Sequence, residues 1–296
     1  MIELRWKADT RLSALHLAHC AGSFPSDIRW REQTQRAIFE GLDGFADRLD
    51  VPVDRFWDLS FQLCLDCSST RDLAERLVVR CLPPQARSQY LISELTASLQ
   101  SIAAASEIEQ PNFLREIALR EAPLREQWEA YGPGLWNQLG QWIEPSLLVE
   151  QAEVFLVMPV IGGYGWPHLQ TNRCHVEAVL TNAHPQITEV MRLCWLLSQL
   201  DFERPRYSEL INARRLRRVS GLAMLPPLMN AAEELGLSRF SSEGLLTAIT
   251  VWRIEPPGNR TTALAEVLMV WWDTFRSGEI DWSVALTGLD RMLEEV

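Results

Sequence analysis

The stretch that decides the fold runs from Glu153 to Leu200. It opens with a mostly apolar run, Val154-Phe-Leu-Val-Met-Pro-Val-Ile161, and breaks into Gly162-Gly-Tyr-Gly-Trp-Pro-His168. A short alternating run follows, Cys174-His-Val-Glu-Ala-Val-Leu180, and then a helix-like segment from Ile187 to Leu200. Continuous or alternating apolar residues over such lengths read as strand, whereas spacing of three and four reads as helix. Val154–Ile161 and Cys174–Leu180 are therefore predicted as strands of a small sheet in the middle of the chain.

Outward from this stretch the pattern is helical. Ile2, Leu4 and Trp6 alternate and predict a short edge strand. Asp9 to Ala21 turns helical, with Asp9 or Thr10 as cap and Gly22 at its end. Trp30–Leu49 reads as one or two helices interrupted near Gly41 and Gly44. Val53–Cys67 is apolar enough to be largely buried, Arg71–Leu82 runs to Pro83-Pro84, and Gln85–Ala105 is a long helical run. Residues 112–130 continue in helix, after which Gly132-Pro-Gly134 is predicted to turn the chain.

Beyond the sheet at least four more helices are expected. Ser241-Ser242 starts one and Asp281 caps the last. The clearest is Thr262–Phe275, whose stripe carries Leu264, Val267, Leu268, Trp271, Trp272 and Phe275. The fold class is α+β and strongly α-dominated, with helices packed against a small mid-chain sheet. One α-rich unit over 1–296 is expected, since no Gly/Ser-rich linker divides it. A subdivision into an all-helical 1–145 and a mixed 146–296 stays open.

Composition excludes several chemistries. A net charge of −11 argues against general nucleic-acid binding, which needs Lys and Arg on phosphates. Lys7 is the one lysine beside 27 arginines, and it is badly placed for a phosphate loop, a kinase-type site or a Schiff base. No apolar run approaches the roughly 20 residues of a membrane span. The start, Met1-Ile-Glu-Leu-Arg-Trp-Lys7, does not read as a signal peptide, so a cytoplasmic protein with reduced cysteines is expected. No motif calls for a cofactor.

The candidate motifs are incomplete. Gly162-Gly-Tyr-Gly165 follows a strand, but Trp166-Pro167-His168 stands where a dinucleotide loop needs a glycine opening a helix. His175-Val-Glu177 mimics the His-x-Glu of zinc deaminases and lacks the downstream Pro-Cys-x-x-Cys. In a strand His175 and Glu177 share one face while Cys174, Val176 and Ala178 share the other, which suits apolar inward and polar outward. Cys64-Leu-Asp-Cys67 has no second pair of zinc ligands at matching spacing. His16-x-x-His19-Cys20 puts His16 and Cys20 one helical turn apart without a carboxylate at matching spacing. Arg214, Arg217 and Arg218 form one helix face suited to an anion, an acidic partner or the chain's own carboxylates. No Gly-x-Ser-x-Gly elbow is present.

The order of strand, glycine turn, short strand and Leu/Trp-rich helix over 153–200 resembles, in outline, the middle of a zincin metallopeptidase. That family carries His-Glu-x-x-His on the helix. The helix here reads Glu189-Val-Met-Arg-Leu-Cys-Trp-Leu-Leu-Ser-Gln-Leu200 and has no histidine, so the resemblance implies a fold without its zinc ligands and no peptidase activity. The expected function is a non-catalytic binding or interaction protein whose partner is a protein or a small molecule. The alternative is a metal-dependent hydrolase built on His168, His175, Glu177 and His184. The candidate binding residues are Gly163, Tyr164, Trp166, His168, His175, Glu177 and His184, with Arg214, Arg217 and Arg218 for an anion.

Overall fold

A computed structural model describes residues 2–28, 30, 36–255, 258–278 and 280–294. Helices dominate, and the strands form one four-stranded sheet in the order β1-β2-β4-β3, the α-dominated α+β class read from the sequence. Contacts group the chain into two compact units. One comprises Ala8–Leu119 with Leu156–Ile161; the other comprises Met1–Lys7, Arg120–Phe155 and Gly162–Val296.

The first unit is helical. Helix α1 (Thr10–Ser23) starts at Asp9, whose carboxylate accepts from the Arg11 and Leu12 amides at 2.9 Å each. From Leu12 to Ala21 every residue of α1 is buried, so the helix is enclosed on all sides. Two short helices follow, α2 (Arg36–Glu40) and α3 (Gly44–Arg48), as the glycines at 41 and 44 suggested; residues 31–35 of that region lie outside the described ones. Helix α4 (Val53–Asp66) buries Phe56, Trp57 and Phe61, and Trp57 donates from Nε1 to Asp43 at 2.8 Å. Helix α5 (Thr70–Cys81) is capped by Ser69, and α6 (Gln89–Glu109) packs Leu91, Leu95, Leu99 and Ile102 inward.

One expectation fails in α7, which runs unbroken from Phe113 to Trp142 with Pro123 and Pro133 inside it. Gly132-Pro-Gly134 does not turn the chain. Its glycines serve close packing: a Cβ on Gly132 would sit 2.3 Å from the Trp128 ring, and one on Gly134 would sit 3.2 Å from Leu235. Pro133 costs the helix one hydrogen bond, about 3 kcal/mol in an exposed helix, and tertiary packing over this 30-residue element outweighs it.

In the second unit, strand β1 (Glu3–Ala8) is one edge of the sheet, as its alternation predicted. Glu3 N–H bonds Glu150 O at 2.9 Å while Lys7 pairs with Glu153, so β1 and β2 (Gln151–Val157) run the same way. Strand β3 (Gly165–His168) pairs antiparallel with β4 (Arg173–Glu177), with Trp166 opposite His175 and His168 opposite Arg173. Both predicted strands therefore end early. Pro159, which has no N–H for a ladder, lies just past β2, and β4 stops at Glu177.

Helices α8 (Glu189–Leu197), α9 (Pro205–Ser208), α10 (Ala213–Ala223) and α11 (Leu225–Glu234) follow. Next come α12 (Ser242–Val251, capped by Ser241), α13 (Asn259–Ser277) and α14 (Trp282–Glu294). On α13 the buried stripe is Leu264, Ala265, Leu268, Trp271 and Trp272, with Val267 and Phe275 half-buried at its borders. Trp271, Trp272, Phe275, Trp282 and Trp142 form a contiguous aromatic cluster, with ring centroids 5.4–6.3 Å apart along its contacts. Among the described residues no helix is long and apolar enough to cross a membrane.

Candidate functional site

The site residues gather on the β3–β4 hairpin and the loop that leads into it. Gly162 and Gly163 adopt φ of +78° and +108°, a region glycine enters freely. This turns the Gly163 and Tyr164 amides toward the Glu177 carboxylate, which accepts both from one oxygen at 2.8 and 3.2 Å. Successive amides aimed at one anion form a backbone nest, and here the chain's own glutamate fills it. Gly165 is required for a different reason. A Cβ there would lie 2.6 Å from Leu196 and 2.9 Å from the His175 carbonyl, so glycine lets α8 close on the hairpin.

Arg192 of α8 ties this arrangement together, and sequence reasoning missed it. Its Nε donates to Glu189 at 2.8 Å and its Nη2 pairs with the same carboxylate oxygen. The remaining donors reach the carbonyl of Tyr164 and that of Glu177, the latter at 3.1 Å. Arg192 is fully buried and Glu189 nearly so, which is tolerable because the charges are paired and the fork is spent on acceptors. Glu189 also accepts from the Ala183 amide at 3.4 Å, while its own amide donates to Asn182 at 3.0 Å. The signal was present in the sequence as one arginine inside an apolar helix, three residues after a glutamate.

His168 and His175 also meet. His168 Nε2 lies 3.1 Å from His175 Nδ1, and both rings are fully buried. Burial, with the nearby Arg173 guanidinium adding to it, pushes His168 down to about 3. Arg173 in turn pairs with Glu153 at 3.0 Å.

The half-exposed strand anticipated for Cys174–Leu180 is not found. His175 and Glu177 are as buried as Cys174 and Val176, so both faces of β4 are covered. Alternation along the strand does set a polar face, and specific hydrogen bonds allow that face to be buried. Of Gly162–His168 only Gly162 is exposed; Gly163, Tyr164 and Trp166 are buried, with the Tyr164 and Trp166 rings edge-on at 6.4 Å. His184 does not join them. It lies half-buried in an isolated bridge to Ile187 and accepts from the Gln186 amide at 3.2 Å.

The arginine face of α10 divides. Arg217 lies over the Trp166 ring at 4.0 Å and donates to the Pro167 carbonyl at 3.1 Å, so it belongs to the hairpin. Arg218 pairs with Glu255 and donates to the Leu293 carbonyl at 3.3 Å, while Arg214 is exposed. Arg215, which sequence reading left aside, pairs with Asp290 at 2.8 Å and with Glu294. The chain's own carboxylates thus occupy part of this cluster.

All six cysteines lie among the described residues, and none of them is in a disulfide. Burial pushes Cys64 and Cys67 up to about 12 and about 11. A small cavity of about 20 Å³ beside Cys64, lined by Leu15, Leu73, Leu99 and Ile102, holds no more than a water. No protein-family model, curated protein or solved structure matches this chain.

Proposed function

We propose that the chain is a cytoplasmic, non-catalytic binding protein whose hairpin is a scaffold and not a reaction centre. The observation that supports this most is where the polar groups of the hairpin are spent. Glu177 receives two backbone amides, Arg192 binds Glu189 and two carbonyls, and His168 faces His175, all out of reach of solvent. A general base must come within hydrogen-bond reach of a substrate proton, and these groups offer no such approach. A metal-dependent hydrolase would first have to give up these internal bonds. The partner is then a protein or a small molecule met at the outer surface, and the charge of −11 disfavours nucleic acid.

The test assays purified protein against ester, peptide and phosphoester substrates, with and without added zinc or manganese. Wild type and Glu177→Gln are expected to be equally inactive. Turnover by wild type that Glu177→Gln abolishes while keeping its circular dichroism and melting behaviour overturns the proposal.

A further inference from the structure

Helix α1 carries a polar stripe that packing does not explain. Ser13, His16 and Cys20 stand at i, i+3 and i+7, so they share one face, and each is fully buried. Ser13 is accounted for by its hydrogen bonds, since it donates to Gln110 at 3.0 Å and accepts from the Met158 amide at 3.2 Å. His16 and Cys20 instead face each other, with His16 Nε2 3.6 Å from Cys20 Sγ. Both are metal-ligating atoms in an orientation that points them at a common position.

The separation has a specific meaning. Zinc holds nitrogen at about 2.0–2.1 Å and sulfur at about 2.3 Å, so two such ligands on a tetrahedron stand about 3.5–3.6 Å apart. The His16–Cys20 distance matches that edge. The i, i+4 spacing is also the one by which a helix offers two ligands to a single ion. We propose that His16 and Cys20 supply two adjacent ligands of a site for a thiophilic divalent ion of the zinc class. Imidazole with thiolate selects that class over magnesium or calcium, which prefer oxygen. A bound ion would also stabilise a thiolate that the interior of α1 otherwise disfavours.

The test is titration of the reduced full chain with Co²⁺ and then Zn²⁺. A sulfur-to-cobalt charge-transfer absorption is expected, saturating at one equivalent and displaced by Zn²⁺. Cys20→Ser should abolish it, and His16→Ala should weaken Co²⁺ binding by at least about 100-fold. Cys64→Ser with Cys67→Ser should leave it unchanged. No absorption in wild type, or absorption that survives Cys20→Ser and vanishes without Cys64 and Cys67, overturns the proposal. If Cys20→Ser does not fold, zinc-edge X-ray absorption on the wild-type protein decides. One sulfur at about 2.3 Å with imidazole nitrogen supports the site, and no sulfur or two sulfurs overturns it.

Discussion

His168 Nε2 lies 3.1 Å from His175 Nδ1 across the β3–β4 hairpin, with the two ring planes at 90°. Such a contact needs one N–H and one lone pair, so protonating both rings removes its acceptor. The pair is therefore compatible with neutral imidazoles and not with two imidazolium ions.

Stability should fall as the solution is acidified. His168 is held near 3 in the fold, against about 6.5 in an unfolded chain. Between those values the unfolded state binds a proton that the folded state refuses. Stability is thus fully present above about pH 6.5 and is lost on moving toward 3, by up to about 1.4 kcal/mol per pH unit. Urea unfolding across this window should show a shallower pH dependence for His168→Asn than for wild type. Parallel curves would show that the ring titrates normally in the fold.

Arg192→Met should destabilise the protein by about 3–5 kcal/mol, because it leaves Glu189 charged and buried without its counter-ion. Arg192→Lys should recover only part of this, since an ammonium cannot reproduce the fork that reaches Glu189, Tyr164 and Glu177 together. Adding Glu189→Gln to Arg192→Met should cost less than the sum of the single changes. Full additivity in denaturant unfolding would mean the pair is uncoupled.

Gly132→Ala tests the continuity of α7. Alanine is ordinarily the better helix residue by about 1 kcal/mol, yet here its Cβ would enter the Trp128 ring. A loss of about 1–3 kcal/mol is expected, while Gly44→Ala, with open space around it, should be neutral or stabilising. Equal melting temperatures for the two variants would contradict the packing described.

Trp271→Ala should cost about 3–5 kcal/mol, because the ring is buried and its Nε1 donates to the Ala285 carbonyl at 2.8 Å. Val267→Ala should cost clearly less, since Val267 stands at the border of the same stripe. Thermal melts that rank the two the other way would move the buried face of α13.

Ellman titration should count six thiols in unfolded protein. In the folded protein reaction should be slow, and Cys81, the one half-exposed thiol, should react first. Fast modification of Cys64, which burial holds near 12, would contradict its enclosure in α4.

The sequence made some of these elements easy to see and concealed others. The alternation of Leu4 and Trp6, the caps at Asp9 and Ser241, and the Trp271–Trp272 stripe are local signals, and each stands where local physics places it. Strand β3 was hidden because its four residues, Gly-Trp-Pro-His, carry turn chemistry and become a strand only through pairing with β4. The glycines of α7 misled for the same reason: Trp128 and Leu235 decide their meaning, and no spacing reveals those neighbours. At the hairpin, residue types pointed correctly to Tyr164, His168, His175 and Glu177 as neighbours. Their burial depended on Arg192, whose partners are set by the tertiary fold.

Lys7 sits on the edge strand, about half exposed, paired with Glu153 and lying 5.7 Å from the centre of the Phe155 ring. Because it is the chain's single lysine, an amine-directed reagent finds one side chain in the whole molecule. A fluorophore or surface linker coupled there would be placed at a known point on β1. The same coupling would neutralise the cation that Glu153 faces, leaving Arg173 as that carboxylate's remaining ion-pair partner. Labelling for immobilisation is therefore also a single-site perturbation of the sheet, one that can be compared directly with Lys7→Arg, which keeps the charge and removes the amine.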